Sequence, residues 1–237
     1  MLDFGTSGRL YNSSLVMYDR QTQSLWTHFD AQAVAGLLTG TTLDTIPVQT
    51  VSFVDFRGAH PDGLVLSTDT GFDRSYGANP YEGYDDPDRS PFLFDGPRDD
   101  RLPDMTRVVG INRGDEAVAV VAARAVDDGV LEVEVAGERL VVLAKAGTAS
   151  ALDDSDISQG RDVGARGVFV PEVNGRTLSF RAAGDGFRDA ETGSTWSIFG
   201  EAVAGPLEGA QLERVQHVDT FWFAWSAFYP STRVVPD

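Results

Sequence analysis

The chain has 237 residues, of which 42% are hydrophobic, enough for one large β domain or two small ones with a real core. Its 36 acidic residues outnumber 19 basic ones, and the net charge of −17 makes nucleic acid and anionic membranes poor partners because little of the surface could neutralise phosphates. The absence of cysteine excludes disulfides and cysteine-based metal sites in this chain.

The acidic excess is spread along the whole chain, and Lys145 is its single lysine. Diffuse self-repulsion of this kind is typical of a protein from a salt-adapted, halophilic source, because salt screens the repulsion. No apolar run reaches the length of a membrane span, and the first residues lack the pattern of a signal peptide. We therefore expect a soluble chain without a membrane span, whose compartment is undetermined.

The first elements in chain order are predicted strands. Leu10–Tyr18 has β character and runs into a polar turn at Asp19–Gln23, after which Ser24–Phe29 would return as a hairpin partner. Ala33–Ala35 is a short strand that ends at Gly36. Ser52 is then typical of a helix N-cap, which predicts a short aromatic helix.

A stretch without periodicity follows, from Ser67 to Asp104, rich in Asp, Gly, Pro and Tyr. It predicts a long loop or linker, and loops of this length in compact proteins are usually functional or disordered. Beyond it the pattern predicts the strands Val108–Ile111, Ala117–Val121, Val130–Val135, Leu140–Ala144, Val168–Val170 and Thr177–Arg181. Asn174-Gly175 suits a type I′ hairpin turn, and Thr220 before FWFAWSAF suits the N-cap of a second aromatic helix.

Two segments of the chain are similar to each other. Asp19–Leu43, DRQTQSLWTHFDAQAVAGLLTGTTL, shares its DxxTxSxW and AVAG patterns with Asp189–Leu212, DAETGSTWSIFGEAVAGPLEGAQL. The interpretation is an internal duplication, which gives a mostly β fold (all-β or β-rich α+β) of two related β units, each ending in a short aromatic helix. We expect the units at residues 1–66 and 107–237, joined by the loop 67–106, in one compact body.

Several segments together resemble a known family. FGTSGRLYNSSLVMYDRQTQSLW, AVAGLLTGTTLDTIP, DTGFDRSYGANPYEGYD, ETGSTW and FWFAWSAFYPST are similar to the domain-of-unknown-function family 3179 (DUF3179). The resemblance implies an exported or cell-surface protein in its full-length form, with a Cys-Pro-Leu-Cys-like motif ahead of the FGxSG segment. That motif is absent here, so no thiol or metal role tied to it transfers to this chain.

The first unit begins with only Leu2-Asp3-Phe4, whereas the second unit has several predicted strands ahead of its DxxTxSxW segment. We interpret the first unit as N-terminally truncated, either in a short form of the gene product or in a natural protein with one half-sheet left open. Because an open sheet edge is a template for pairing, possible self-association through the N-terminal half is predicted.

The DxxTxSxW segments could hold a ligand on Trp26 or Trp196, but Asp and Thr at a turn usually bond their own backbone, so a structural role is favoured. The best functional candidate is the unduplicated loop around Asp69–Tyr84. Its candidate ligand-binding residues are Arg74, Asn79, Tyr81 and Tyr84. Weaker candidates for acid/base catalysis are His28, Asp73 and Tyr76, although solvated or packed roles compete for each.

The acidic run Asp85, Asp86 and Asp88 could bind calcium, but it lacks EF-hand spacing, and a solvated loop is the favoured alternative. No other cofactor is expected. The leading hypothesis is a binding or interaction module with the Tyr-rich loop lining the ligand surface. The alternative is an enzyme with hydrolase-like acid/base chemistry, in which His28, Asp73 and Tyr76 would have to meet in one deep pocket.

Overall fold

The computed structural model describes residues 1–235, and strands dominate it, which confirms the predicted β-rich fold. Three α-helices interrupt the strands: α1 (Phe53–Ala59), α2 (Ala122–Asp128) and α3 (Trp222–Phe228), with a 3₁₀ turn at Ile157–Gln159. None of the helices in this part of the chain has the length and apolarity needed to cross a membrane.

The chain begins with a four-stranded antiparallel sheet, here the first meander. Its strands, in order, are β1 (Phe4–Tyr11), β2 (Ser14–Asp19), β3 (Leu25–Thr27) and β4 (Ala33–Ala35). The prediction of one strand over Leu10–Tyr18 is wrong, because the chain reverses within it at Asn12 and Ser13. Their φ values of 45° and 61° fit a two-residue turn, which Asn tolerates because its side chain is compatible with left-handed backbone.

Two four-stranded sheets pack face to face in the middle of the chain. The first has the order β17-β5-β6-β18 and the second β16-β9-β8-β7. The strands are β5 (Arg107–Arg113), β6 (Glu116–Val121), β7 (Val130–Val135), β8 (Glu138–Lys145), β9 (Ala165–Val170), β16 (Glu213–Arg214), β17 (Val218–Phe221) and β18 (Arg233–Val235). Their facing side chains form one core cluster that includes Ile111, Val120, Leu140 and Val168.

A second meander follows the central sheets, with the order β12-β13-β14-β15. Its strands are β12 (Phe180–Ala183), β13 (Gly186–Asp189), β14 (Thr195–Trp196) and β15 (Ala202–Ala204), preceded by the hairpin of β10 (Glu172–Val173) and β11 (Arg176–Thr177). The predicted turn at Asn174-Gly175 is confirmed, since both residues have positive φ between the paired Val173 and Arg176.

The meanders cover the outer faces of the two central sheets. On one side, Leu143 and Phe169 pack with Trp196 and Phe187 of the second meander. On the other side, α3 covers the outer face of β5 and β6, and α3 in turn contacts Phe29 of the first meander. The result is a layered body in which each of the two central sheets buries apolar side chains on both faces.

The helix predictions are partly right. Ser52 caps α1, and its hydroxyl accepts a hydrogen bond from the backbone N–H of Asp55 at 3.1 Å. Thr220 does not cap α3; the N-cap is Phe221, because Thr220 is the last but one residue of β17 and is paired with Val108. The position of α2 was not predicted from the sequence.

Candidate functional site

The DxxTxSxW segments form two buried turns with the same hydrogen bonds. In the first, the Asp19 carboxylate accepts from the Trp26 indole N–H at 3.0 Å and from the backbone N–H of Thr22 at 2.5 Å. In the second, Asp189 accepts from the Trp196 indole at 2.9 Å and from Thr192 at 2.5 Å. These contacts supply a structural reason for the Asp, Thr, Ser and Trp that the two segments share. The duplication itself stays a prediction.

Electrostatics at these turns favour the ionised carboxylates. Burial alone would raise the pKa of Asp189, but hydrogen bonds from the Trp196 indole and the Thr192 backbone outweigh it and hold the pKa below its ordinary value. The same balance of burial against hydrogen bonds from Trp26 and Thr22 lowers the pKa of Asp19. Both carboxylates accept hydrogen bonds from residues of their own turns, so neither is free to hold a ligand.

The Tyr-rich loop is fixed to a second loop, residues 148–163. The backbone N–H groups of Asn79, Gly83 and Tyr84 donate to carbonyls of that second loop at 2.9, 2.9 and 3.1 Å. The Asn79 side chain, 8% exposed, adds a hydrogen bond to the Asp154 carbonyl at 3.1 Å and accepts one from the Tyr81 backbone at 2.8 Å. Asn79 therefore shapes the loop from inside and does not face a ligand.

Asp85 fastens the Tyr-rich loop, residues 67–106, to the central sheet. Its side chain is fully buried and accepts hydrogen bonds from the Arg107 guanidinium at 2.6 Å and the Ser150 hydroxyl at 2.5 Å. Arg161 approaches the other carboxylate oxygen at 3.1 Å. Burial would raise the pKa of Asp85, but Ser150 and the two arginines more than offset it and lower the pKa. The loop is thus held in place by a buried charged network.

A surface groove lies on the exposed side of the fixed loop. Two adjoining cavities of about 270 and 390 Å³ share Tyr81, Tyr84 and Phe92 in their walls. The rings of Tyr81 and Tyr84 meet edge to face, with centroids 6.3 Å apart. The remaining wall residues are Leu10, Ser13, Glu82, Arg89, Ser90, Leu93 and Leu152. We call this surface the aromatic groove.

The aromatic groove combines exposure with rigidity. Tyr81 is 60% exposed and Phe92 66%, whereas Tyr84 is half-buried against Phe221, with ring centroids 6.0 Å apart. Burial raises the pKa of the Tyr84 phenol, so it stays protonated and can donate a hydrogen bond at neutral pH. Exposed aromatic rings on a fixed backbone lose little conformational entropy on binding.

A separate cavity of about 400 Å³ lies at the end of the loop, against α2. Its walls are mostly apolar, with Asp85, Arg107 and Arg161 at one end. The Asp85 side chain is inaccessible to solvent; one carboxylate oxygen accepts from Arg107, and the other makes only an ion-pair contact with Arg161. Of the charged residues in its walls, Asp85, Arg107 and Arg161 hold the loop, whereas Asp162 bonds to the backbone of its own loop and Asp127 lies on α2.

The predicted catalytic residues all lie at the surface. His28, Asp73 and Tyr76 are exposed, and none of them lines the cavities described here. The Tyr76 hydroxyl bonds to Thr70 in its own loop, and Arg74 is exposed without a side-chain hydrogen bond within residues 1–235. The arrangement that the enzyme hypothesis requires is therefore not formed by these residues.

The acidic residues named as calcium candidates have other contacts. Asp85 faces arginines, and Asp86 lies 3.5 Å from Arg89 and accepts from the Asp88 backbone N–H at 3.0 Å. Within residues 1–235, no three His, Asp or Glu side chains converge in a group that could hold a metal ion. Calcium binding stays an untested prediction.

Sequence reasoning found Tyr81 and Tyr84 but missed their neighbours. Phe92 and Leu93 lie in the same loop and could have been included on composition alone. Leu10, Leu152, Arg107 and Arg161 lie far away in sequence, and no local pattern connects them to the loop.

Comparison with known proteins gives one match. No curated protein and no solved structure matches the chain. Residues 1–232 match the sequence profile of a family described as protein of unknown function (DUF3179). This match spans all the strands of both meanders and nearly all of the central sheets. The chain therefore belongs to the DUF3179 family.

Proposed function

We propose that this protein is a binding module whose aromatic groove holds an extended, proline-containing segment of another polypeptide. The observation that carries the proposal is the pair of adjoining cavities that share Tyr81, Tyr84 and Phe92. Grooves lined by aromatic rings bind proline-rich segments because the polyproline II helix is preformed and presents apolar ridges that fit between the rings.

The chemistry of the walls fits such a ligand. The groove offers three aromatic rings and three leucines, Leu10, Leu93 and Leu152, for apolar contact. The Ser90 hydroxyl and the Tyr84 phenol can donate hydrogen bonds to the carbonyl groups of a polyproline helix, which are fully solvated before binding, whereas the Ser13 hydroxyl already donates to the Leu93 carbonyl. One Glu and one Arg at the rim leave the groove without a strong preference for a charged ligand.

The fixed backbone supports the same proposal. The loop that carries the rings is held by the Asp85 network and by the backbone hydrogen bonds to residues 152–155. A preformed site of this kind loses little conformational entropy when a ligand binds, so ordering the site costs little of the binding free energy. A loop with only a packing role would not require Tyr81 and Phe92 to be exposed.

The test is an array of synthetic decapeptides in which proline-containing sequences are paired with glycine/serine sequences of the same charge. We expect saturable binding of a subset of the proline peptides, weakened by Tyr81→Ala by about tenfold, equivalent to about 1.4 kcal/mol. The matched control is Tyr76→Ala, which removes an exposed tyrosine of the same loop outside the groove. Binding to no proline peptide, or equal losses in both variants, would refute the proposal.

A further inference from the structure

In the register of the predicted duplication, helices α1 and α3 correspond to each other. Each has seven residues and ends with the same hydrogen bond. The backbone N–H of His60 donates to the Phe56 carbonyl at 2.8 Å after α1, and that of Tyr229 donates to the Trp225 carbonyl at 2.9 Å after α3. In this register the seven positions of α1 correspond one by one to those of α3, so their two faces can be compared directly.

One face of each helix makes the same kind of contact. The His60 ring lies 5.4 Å from Phe199 of the second meander. The equivalent Tyr229 lies 6.3 Å from Phe29 of the first meander, and Phe228 stacks on Phe29 at 4.3 Å. Each helix thus packs against the meander of the opposite half of the chain, and this face is covered in both.

The other face differs between the two helices. In α3, Trp222 and Trp225 are 0% and 1% exposed, because they pack against Val108 of β5 and Ala119 of β6. In α1 no residue is buried. Phe53, which corresponds to Trp222, is 61% exposed, and Val54, which corresponds to the buried Phe223, is 80% exposed. Phe56, which corresponds to Trp225, is half-buried, so the uncovered part of α1 is its first turn.

The backbone that leads into each helix shows the same difference. Val218–Phe221 precedes α3 as strand β17, paired antiparallel with β5. The equivalent residues before α1, Gln49–Ser52, belong to no strand. Within residues 1–235, no backbone N–H from Asp44 to Val51 donates a hydrogen bond. Ile46 and Val48 in this stretch are 80% and 72% exposed. A segment outside any helix or strand, with free N–H groups and apolar side chains, is suited to strand addition.

We propose that this uncovered surface, formed by Ile46, Val48, Phe53 and Val54, is a docking site for a β-hairpin of another polypeptide. One strand of the hairpin pairs antiparallel with Gln49–Ser52, and its apolar face covers α1. We expect the docked hairpin to resemble the β5–β6 hairpin, which pairs with β17 and covers Trp222 and Trp225 of α3 with small and β-branched residues.

Charge decides between a different polypeptide and a second copy of this chain. The uncovered surface has the exposed carboxylates of Asp44 and Asp62 beside it and one exposed basic residue, Arg57 of α1, and because each chain has a net charge of −17, two copies repel each other overall. The covering strand β5 begins with Arg107 and ends with Arg113. A hairpin with basic residues at its strand ends therefore complements the surface, whereas a second copy does not.

The probe is a fluorescently labelled synthetic peptide with the sequence of residues 107–121, which reproduces the β5–β6 hairpin. Titration with the intact protein should give saturable binding, and the backbone amides of residues 44–51 should gain protection from hydrogen exchange. Phe53→Asp and Val54→Asp should each weaken binding by about tenfold or more, because each places a charge on the contact face. Both side chains are exposed, so neither change is expected to unfold the protein.

The matched control is Phe72→Asp, since Phe72 is 72% exposed and lies outside this surface. Equal weakening by all three variants, or protection only at amides outside residues 44–51, would overturn the proposal. So would a stable dimer in light scattering that dissociates on Phe53→Asp, because a second copy would then be the occupant. Absence of saturable binding at peptide concentrations up to about 1 mM would also overturn it, since strand addition with apolar contacts exceeds that affinity.

Discussion

Replacing Asp85 by asparagine tests whether the buried charged network holds the Tyr-rich loop in place. The change keeps the shape of the side chain and removes its charge, which leaves Arg107 and Arg161 without their common counter-ion. The asparagine carbonyl oxygen can still accept from both Ser150 and Arg107, but weakly because it is uncharged, and its NH2 group would face Arg161.

The magnitude follows from the exposure of the partners. A hydrogen bond to a charged group contributes about 1.5–3 kcal/mol. The Arg107 pair has side-chain exposures of 25% and 0% and should be close to that range. The Arg161 side chain is 41% exposed, so water screens its contribution, which we take as small. We therefore expect the free energy of unfolding to fall by about 2–3 kcal/mol, which corresponds to roughly 4–12 °C in Tm for a chain of this size.

Two measurements check this expectation. Urea denaturation gives the change in the free energy of unfolding, and hydrogen exchange should show faster exchange at the amides of Asn79, Gly83 and Tyr84. The control is Asp86→Asn, whose carboxylate is 40% exposed and 3.5 Å from Arg89, and which should change stability by less than about 0.5 kcal/mol. Equal effects of the two substitutions, or unchanged exchange in the loop, would refute the role assigned to Asp85.

Three further expectations concern the whole fold. Gly110→Ala should lower the free energy of unfolding by about 1–3 kcal/mol in urea denaturation, because its methyl group would lie 2.2 Å from the Trp225 ring. The control Gly58→Ala, in an uncrowded position of α1, should leave stability unchanged or raise it by up to about 1 kcal/mol. The lowered pKa of Asp85 and Asp189 means that their contribution to stability is complete above the ordinary aspartate pKa of about 3.9 and is lost as the pH falls below it. Urea midpoints measured from pH 6 to pH 2 should therefore fall with a shallower slope for Asp189→Asn, and an unchanged slope would contradict this assignment. Calorimetry should show Tm rising between about 0.1 and 2 M KCl, since salt screens the repulsion among acidic side chains, and a flat or falling Tm would remove the argument for salt adaptation.

The sequence determined the local elements of this fold because they depend on neighbours along the chain. Alternation of apolar residues predicted the strands of the central sheets, Asn174-Gly175 predicted its hairpin turn, and Ser52 predicted the start of α1. The errors were also local. The turn at Asn12 and Ser13 lacks glycine, which is the usual sequence signal of such a turn. Thr220 pairs with Val108 in β17 and therefore does not cap α3.

The candidate site was only partly predictable. Tyr81 and Tyr84 stood out because hydrophobic packing does not require aromatic residues in a polar loop. Asn79 and Asp85 looked like residues available to a ligand, but the structure uses them to fix the loop. Their burial depends on Ser150, Asp154 and other residues 65 or more positions away, which a single sequence does not connect.

The sequence by itself determined that the chain is β-rich, strongly acidic and built with two similar turns around buried tryptophans. Only the tertiary structure decided which surfaces are covered. Helices α1 and α3 are both short and aromatic in sequence, yet α3 buries its tryptophans against β5 and β6, whereas Phe53 and Val54 of α1 face outward. The physical reason is that burial depends on which sheet packs against a helix, and that is set by pairing between distant strands.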